Sequence, residues 1–262
     1  MLVKNSKFKD ALAKIVCGFY ELADVGRMHP ARERSRRALE RTLDYVERAM
    51  PDALGFDTRR ELIAFSLSAT KLEGHYLEFG VFTGGTVRLI ARRAGGRIVH
   101  GFDSFEGLPE AWAGFNLGKG AFDLHGRLPR VPKNVRLHRG WFEDSLPGWL
   151  SANPGAVAFV HVDCDLYSAA RTVLSLLAER IVPGTVIVFD EYFNFPNWEQ
   201  HEYKAFREFA AEHAVTYRYL AFARQQVAVR IESIGGSVLR SLPAALPVHA
   251  QSPSVQLHEP SF

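Results

Sequence analysis

The sequence predicts an α/β protein with a doubly wound, mostly parallel sheet of seven strands and an antiparallel hairpin at its C-terminal end. From residue 75 onwards, short apolar runs alternate with segments of helical periodicity, which is typical of parallel strands joined by helices. The runs at 157–160 and 186–189 are continuously apolar, as strands buried on both faces are. Two adjacent strand-like segments, 215–222 and 225–231, close the pattern and predict the hairpin.

The elements of this core follow one another in a regular order. The predicted parallel strands are 75–80, 97–103, 135–140, 156–163 and 185–190. The predicted helices lie at about 86–94, 146–152, 168–179 and 198–213. The long segment 104–134 contains Trp112 and Phe115 and is interpreted as a lid over a ligand site, since long loops in compact domains are usually functional.

Three helices are predicted ahead of the first strand, at 7–24, 31–50 and 58–69, where apolar residues recur at helical spacing. The predicted organisation is an N-terminal helical segment (1–72), a core (73–234) and a tail (235–262) rich in Ser, Pro, Ala and His that we expect to be disordered. The N-terminal helices are suited to shaping a substrate site or the interface of a homo-oligomer, and the sequence does not choose between these roles.

Charge and composition exclude some classes of protein. The formal net charge is +3, which gives no electrostatic argument for nucleic acid or a membrane as partner. The two cysteines form neither a metal-binding spacing nor a disulfide framework, which fits a reducing cytosol. No apolar stretch has the length of a signal peptide core or of a membrane span. We therefore expect a cytoplasmic protein.

The first strand of the core leads into a glycine loop. Glu78 is followed by Gly80, Gly84 and Gly85, and a helix begins near Thr86. Such a loop directs backbone N–H groups and the positive end of a helix dipole at a ligand. The acid comes first and the spacing is not that of a dinucleotide loop, so Glu78 would repel a diphosphate and is suited to a cationic amine. The alternative is a purely structural strand-to-helix turn.

Two further strand ends carry residues that suit a nucleoside. An acid about 20 residues after a glycine loop accepts hydrogen bonds from ribose hydroxyls, and Asp103 occupies this place. Trp141 and Phe142 follow the third strand, where they could flank an adenine ring while Glu143 meets its polar edge. The alternatives are a helix cap for Asp103 and core positions for the two aromatic residues.

The last two parallel strands end in acids. His161, Asp163 and Asp165 point to the same face because side chains alternate along a strand. Asp163, Asp190 and Glu191 are expected to meet at one edge of the sheet, where three carboxylates repel one another unless a cation lies between them. Hard oxygen ligands suit Mg²⁺. The alternative is that these acids cap a helix or pair with Arg or Lys.

Taken together, these motifs resemble the macrocin O-methyltransferase (TylF/MycF-type) family of class I S-adenosylmethionine (SAM)-dependent methyltransferases. The resemblance covers roughly residues 73–232 and includes the segments 78–86, 102–109, 141–147, 162–167 and 190–192. It implies a Rossmann-like fold, SAM and Mg²⁺ as cofactors, and methylation of a sugar hydroxyl on a natural product. The SAM-binding residues that it implies are Glu78, Gly80, Phe82, Thr83, Gly84, Gly85, Thr86, Asp103, Ser104, Trp141 and Phe142.

The same resemblance implies that Asp163, Asp190 and Glu191 bind the metal. Glu191 stands where the family usually has Asp and is one methylene longer. We expect Asp163 both to bind the metal and to accept the proton of the hydroxyl, with His161 as a reserve base or as a buried neutral histidine. Three other functions stay open: a metal-independent methyltransferase, an NAD(P)-dependent oxidoreductase, and a non-catalytic SAM-binding relative.

Overall fold

The computed structural model describes residues 29–112, 115 and 117–235, together with Lys14. Apart from Lys14, the predicted helix at 7–24 lies outside the described residues, as does nearly all of the tail. The helices are α1 (Pro30–Ala49), α2 (Arg59–Ala69), α3 (Gly85–Arg93), α4 (Phe142–Ala152), α5 (Tyr167–Leu177) and α6 (Glu202–Glu212). A 3₁₀ turn, Trp198–Gln200, precedes α6. None of these described helices combines the length and apolar character that a membrane crossing requires.

The strands form one eight-stranded sheet. They are β1 (Leu54–Gly55), β2 (His75–Phe79), β3 (Val99–Asp103), β4 (Val135–Arg139), β5 (Val157–Val162), β6 (Val186–Phe189), β7 (Thr216–Phe222) and β8 (Val227–Ser233). Their order is β1-β7-β8-β6-β5-β2-β3-β4, and only β8 runs antiparallel to its neighbours. The mostly parallel fold with a C-terminal hairpin is confirmed. The additional strand β1 pairs in parallel with the outer edge of β7.

The chain changes direction across the sheet between β2 and β5. The strands β2, β3 and β4 run outwards on one side, and the chain then returns to place β5 against β2. The paired register sets Glu78 beside His161 across this boundary. In open α/β sheets, the carboxyl ends of the strands at such a switch point form the ligand crevice.

Both faces of the sheet are covered, as the continuous apolar strands predict. All six residues of β5 are buried. One face packs against α4, α5 and α6 through residues such as Trp149, Leu174 and Phe206. The other face packs against α2 and α3 through Leu62 and Ile90. The apolar residues of the helices and strands thus pack on the two faces of the sheet. The polar residues at the strand ends lie outside these layers, where they can contact a ligand.

The start of α2 is fixed by a capping box. The Thr58 hydroxyl accepts a hydrogen bond from the Glu61 backbone N–H, and the Glu61 side chain accepts one from the Thr58 N–H. Such reciprocal bonds satisfy backbone donors at a helix N-terminus. The first helical residue is Arg59, which this cap holds at the edge of the sheet where the strands β5 and β6 end.

Candidate functional site

The glycine loop brings β2 into direct backbone contact with the end of β5. Gly80 has a φ of 92°, and a Cβ at this position would lie 1.6 Å from the carbonyl oxygen of Asp163. Gly84 caps α3 with a φ of 80°, again in the left-handed region that glycine adopts readily. A Cβ on Gly85, by contrast, would meet no atom within 4 Å. The predicted strand, glycine loop and helix are therefore present, and Gly80 is the position that tolerates no side chain.

Asp103 connects this loop to the next one. Its Oδ2 accepts hydrogen bonds from the backbone N–H groups of Val81 at 2.8 Å and Phe82 at 2.7 Å. Its Oδ1 accepts one from the Phe105 N–H at 2.7 Å. A carboxylate has about four lone-pair sites, so it can still accept a bond from a ligand hydroxyl. Asp103 thus organises two loops and remains on the surface that faces a ligand.

A cavity of about 530 Å³ opens at the carboxyl ends of the strands. This strand-end cavity is lined by most of the residues that the sequence predicts for the site: Gly80, Phe82, Thr83, Gly85, Thr86, Asp103, Ser104, Trp141, Phe142, Glu143, Asp163, Asp190 and Glu191. Among the described residues, the predicted Glu78, Gly84 and His161 lie behind this wall rather than in it. The size is within the range of small-molecule sites.

Part of the segment that the sequence predicts as a lid lines this cavity. Leu108, Trp112 and Phe122 belong to the wall, and the Trp112 ring stacks on Phe115 with the ring centroids 3.9 Å apart. Leu108 and Trp112 also pack against Leu166 in a small apolar cluster. The segment after Asp103 therefore supplies apolar residues to the wall of a cavity that also contains acidic residues.

A buried pair lies behind the cavity wall. His161 and Glu78 are both 0% exposed, and Nδ1 of His161 lies 3.2 Å from Oε1 of Glu78. Nε2 of the same ring lies 3.5 Å from Oδ1 of Asp190. Burial by itself lowers the pKa of His161, but the interactions with Asp190 and Glu78 outweigh it and raise this pKa to about 10. The raised pKa favours the protonated ring of His161, whose two nitrogens face Oε1 of Glu78 and Oδ1 of Asp190, while burial also raises the pKa of Glu78.

Arg59, which the sequence analysis missed, reaches the site from α2. Its Nη1 lies 2.8 Å from Oδ2 of Asp190 and 3.7 Å from Oδ2 of Asp163. Burial raises the pKa of Asp190, but the charges of His161 and Arg59 outweigh burial and keep it below its usual range. No motif marks Arg59, because it is one arginine among several in the N-terminal helices.

Three carboxylates of the wall converge. Asp163, Asp165 and Glu191 each offer an oxygen, and these oxygens all lie within 4.8 Å of one another. Burial and the neighbouring acids raise the pKa of Asp163 and of Glu191, and they raise that of Asp165 to about 7. Oε2 of Glu191 is buried and has no hydrogen-bond partner among the described residues. Hard oxygens that repel one another fit a divalent cation. Asp190, the predicted third ligand, lies in the same wall beside Arg59.

A further acid, Glu202, supports the backbone that carries Glu191. The sequence analysis did not identify this residue either. It is fully buried, and its Oε2 accepts a hydrogen bond from the Glu191 backbone N–H at 3.0 Å. Burial raises the pKa of Glu202 to about 8. Glu202 is the first residue of α6, so the start of this helix fixes the backbone that carries Glu191.

Comparison with known proteins places this site in context. A family model described as a methyltransferase domain matches residues 77–192, from β2 to just beyond β6. An 8-demethyl-8-(2,3-dimethoxy-α-L-rhamnosyl)-tetracenomycin-C 4′-O-methyltransferase of Streptomyces olivaceus is 33% identical over 146 residues, which cover 47% of this chain and 55% of that protein. Mycinamicin III 3″-O-methyltransferase of Micromonospora griseorubida is 32% identical over 143 residues, covering 45% and 55%. The chain thus matches about half the length of these two relatives.

Other relatives match over a longer range at lower identity. Demethyldecarbamoylnovobiocin O-methyltransferase of Streptomyces niveus is 24% identical over 216 residues, covering 73% of this chain and 76% of that protein. The crystal structure of CalS11, a calicheamicin methyltransferase, superposes with a TM-score of 0.53 at 22% identity and covers 77% of this chain and 93% of that one. The structural likeness concerns the fold. Over residues 77–192 this chain is therefore similar to a methyltransferase domain, and its sheet is Rossmann-like.

Proposed function

We propose that the protein is a SAM-dependent O-methyltransferase that acts on a hydroxyl of a sugar or of a glycosylated natural product. One observation carries this proposal: the glycine loop, Asp103 and an acidic cluster all face one cavity at the switch point of the sheet. Methyl transfer to oxygen needs a nucleoside site beside a group that accepts a proton. The names of the relatives, which include a rhamnosyl-tetracenomycin methyltransferase and a mycinamicin methyltransferase, support the class of acceptor.

SAM is proposed to lie in the part of the cavity that is lined by the residues following β2, β3 and β4. In this proposal Asp103 and Ser104 accept hydrogen bonds from the ribose hydroxyls. Trp141 and Phe142 flank the adenine ring, and Glu143 lies at its polar edge. The loop from Gly80 to Thr86 lies against the amino acid part. Glu78 is fully buried behind this loop, so its proposed contribution is a negative charge near the amine rather than contact. Bound SAM would supply the methyl group on a cationic sulfur.

Asp163 is proposed as the group that accepts the hydroxyl proton. It lies in the cavity wall, and its raised pKa makes it a better base than an exposed aspartate. The acceptor oxygen loses its proton to Asp163 and forms the bond to the methyl carbon, while the bond from that carbon to sulfur breaks. His161 is closed off behind the wall, so we propose that it holds Asp190 in place, and its role as a reserve base stays a prediction.

A divalent cation fits this site. Asp163 and Glu191 are proposed to hold it, with one further carboxylate, for which the sequence predicts Asp190. Bound Mg²⁺ would lower the pKa of the acceptor hydroxyl and fix its oxygen. Arg59 favours a second candidate, a metal-independent methyltransferase, because its guanidinium already contributes a positive charge 2.8 Å from Asp190. Removal of divalent ions distinguishes the two, since only the first loses activity.

The proposal is tested by calorimetric titration of the purified protein with S-adenosylhomocysteine (SAH), the product of methyl transfer. We expect saturable binding with one SAH per chain, and no comparable heat with NAD. Repeating the titration with Mg²⁺ and a rhamnoside, before and after EDTA, tests the metal and the acceptor class. Binding of NAD without binding of SAH would replace this proposal with an oxidoreductase.

A further inference from the structure

A second cavity, of about 700 Å³, lies between the C-terminal end of α1, the helix α6 and the strand β7. Its wall contains Tyr45, Tyr203, Tyr217 and Tyr219, and we call it the tyrosine cavity. Among the described residues, none belongs to the walls of both this cavity and the strand-end cavity. The proposed methyl transfer therefore gives the tyrosine cavity no role.

The tyrosine hydroxyls at this cavity form a connected group. The hydroxyl of Tyr219 contacts those of Tyr45, of Tyr192 at 2.8 Å and of Tyr217 at 3.4 Å. Nη1 of Arg207 donates a hydrogen bond to the Tyr217 hydroxyl at 2.8 Å. Burial raises the pKa of Tyr45 to about 12 and also raises that of Tyr219, so these two phenols keep their protons at neutral pH.

This group has one O–H donor to spare. A hydroxyl donates one hydrogen bond and accepts up to two, and the four hydroxyls share three contacts, so three of their four protons are used. Tyr192 is fully buried and its hydroxyl contacts that of Tyr219, so Tyr192 donates to Tyr219. Tyr219 then donates to either Tyr45 or Tyr217. Whichever of these two accepts that bond keeps its own proton free, and both line the cavity.

Positive charge accompanies this spare donor. Arg48, Arg207 and Arg218 line the same wall, together with one acid, Asp52. In the part of the chain that the structure describes, none of these three arginines forms an ion pair with a carboxylate. A guanidinium has five N–H donors, of which Arg207 gives one to Tyr217. The wall thus offers N–H and O–H donors and an excess of positive charge, which suits an anion.

A phosphate group on a small molecule fits this wall best. Phosphate oxygens are strong acceptors, and guanidinium groups bind them through charge-assisted hydrogen bonds. The volume is larger than a single anion needs and lies within the range of small-molecule sites. The rings of Tyr45 and Tyr203, edge to face with their centroids 5.4 Å apart, provide an apolar surface for the rest of such a molecule.

We propose that the tyrosine cavity binds a small molecule that carries a phosphate group. Arg48, Arg207 and the spare tyrosine hydroxyl donate to the phosphate oxygens, and the tyrosine rings contact the organic part. The site is separate from the strand-end cavity, so this inference does not depend on the proposed function.

The test is a calorimetric titration of the full chain with phenyl phosphate. Wild type should bind it saturably and about 10-fold or more tightly than inorganic phosphate, because the phenyl ring adds contact with the tyrosine rings. We expect Arg207→Gln and Arg48→Gln each to weaken binding by about 10-fold or more, since each removes a charge-assisted hydrogen bond. Arg48 is exposed, so its variant should fold as wild type does.

The control is Arg92→Gln, which changes an exposed arginine on α3 outside both cavities and should leave phenyl phosphate binding unchanged. A lack of saturable binding to wild type would overturn the inference, and so would equal binding by wild type and both cavity variants. Equal affinities for phenyl phosphate and inorganic phosphate would show that no organic part is recognised, which also contradicts the proposal.

Two further titrations identify the site and the anion. Saturating SAH should leave the affinity for phenyl phosphate unchanged, whereas competition would place the phosphate in the strand-end cavity and overturn the inference. Phenylacetate, which joins the same ring to a carboxylate, should bind more weakly, and an equal affinity would contradict a phosphate site. Failure of SAH to bind, with phenyl phosphate binding that depends on Arg48 and Arg207, would defeat the proposed function alone.

Discussion

Nδ1 of His161 lies 3.2 Å from Oε1 of Glu78, and neither side chain has any exposed surface. The two residues are register partners on β5 and β2, the strands that flank the switch point. β2 leads into the glycine loop and β5 leads into the acidic cluster. The pair therefore connects the two halves of the candidate site from behind, where a ligand cannot reach it.

Glu78→Gln tests this connection. The change removes one carboxylate from beside the ring of His161 and leaves those of Asp190, at 3.5 Å, and of Asp163. Removing one member of a buried pair is strongly destabilising, and we expect the free energy of unfolding to fall by about 3 kcal/mol. Urea unfolding at pH 7 measures this. As a control, Glu73→Gln removes an exposed partner of Arg97 and should change stability by less than about 1 kcal/mol. Equal effects of the two substitutions would contradict the structural role of the pair.

The close approach of β2 and β5 at Gly80 gives a second prediction. In Gly80→Ala the added carbon would lie 1.6 Å from the Asp163 carbonyl oxygen, at a φ that alanine rarely adopts. We expect a loss of at least about 3 kcal/mol of unfolding free energy, measured by urea or thermal unfolding. Gly85→Ala is the matched control in the same loop, since its new carbon meets nothing within 4 Å. A Gly80→Ala protein as stable as Gly85→Ala would show that the two strand ends are not in contact.

Asp103→Ala should weaken SAH binding. The three backbone N–H groups of Val81, Phe82 and Phe105 lose their acceptor, so both loops that border the cavity lose their common anchor. We expect an affinity loss of about 10-fold or more, which corresponds to about 1.4 kcal/mol, in calorimetric titrations. Asp123→Ala removes a similar bond to a backbone N–H, that of His125, outside the cavity wall. Asp123→Ala weakening SAH binding equally would contradict a specific role for Asp103.

Much of the fold is visible in the sequence because the strands of this sheet are buried on both faces. Runs such as 157–160 must then be apolar throughout, and glycines such as Gly80 mark the places where backbones touch. The short strand β1 carries no such signal. Its two residues, Leu54 and Gly55, are exposed and pair with β7.

The candidate site was predictable where its residues follow strands, and not where they arrive from other elements. The carboxyl ends of neighbouring parallel strands meet by geometry, which brings Asp163 and Glu191 together. Arg59 and Glu202 reach the same place from the first turns of two helices, and no spacing in the sequence relates them to the strand ends. The contact of Arg59 with Asp190, at 2.8 Å, therefore became visible only in the structure.

A cluster of histidines away from the cavity predicts how stability depends on pH. Trp149 donates its indole N–H to Nδ1 of His100 at 3.1 Å, and Nε2 of His138 lies 3.0 Å from the same atom. Nδ1 of His100 must therefore accept, which requires the neutral ring. Burial, followed by the nearby His138, His75 and Arg136, lowers the pKa of His100 from 6.5 to about 4. Burial also lowers the pKa of His138.

The direction in which stability changes with pH follows from the protons that His100 binds in the folded and in the unfolded chain. Between pH 6.5 and about 4 the unfolded chain binds a proton at His100 and the folded protein does not, so the stability that this group contributes is complete above 6.5 and is lost as the pH falls. His100→Asn keeps an acceptor for Trp149 and removes the titration. The unfolding free energy of wild type, measured in urea at several pH values, should fall more steeply across this window than that of the variant. The difference between the two curves isolates the contribution of His100. This matters because the raised pKa values of the buried acids change the stability in the opposite direction, increasing it as the pH falls. Two parallel curves would show that His100 is protonated equally in the folded and the unfolded chain.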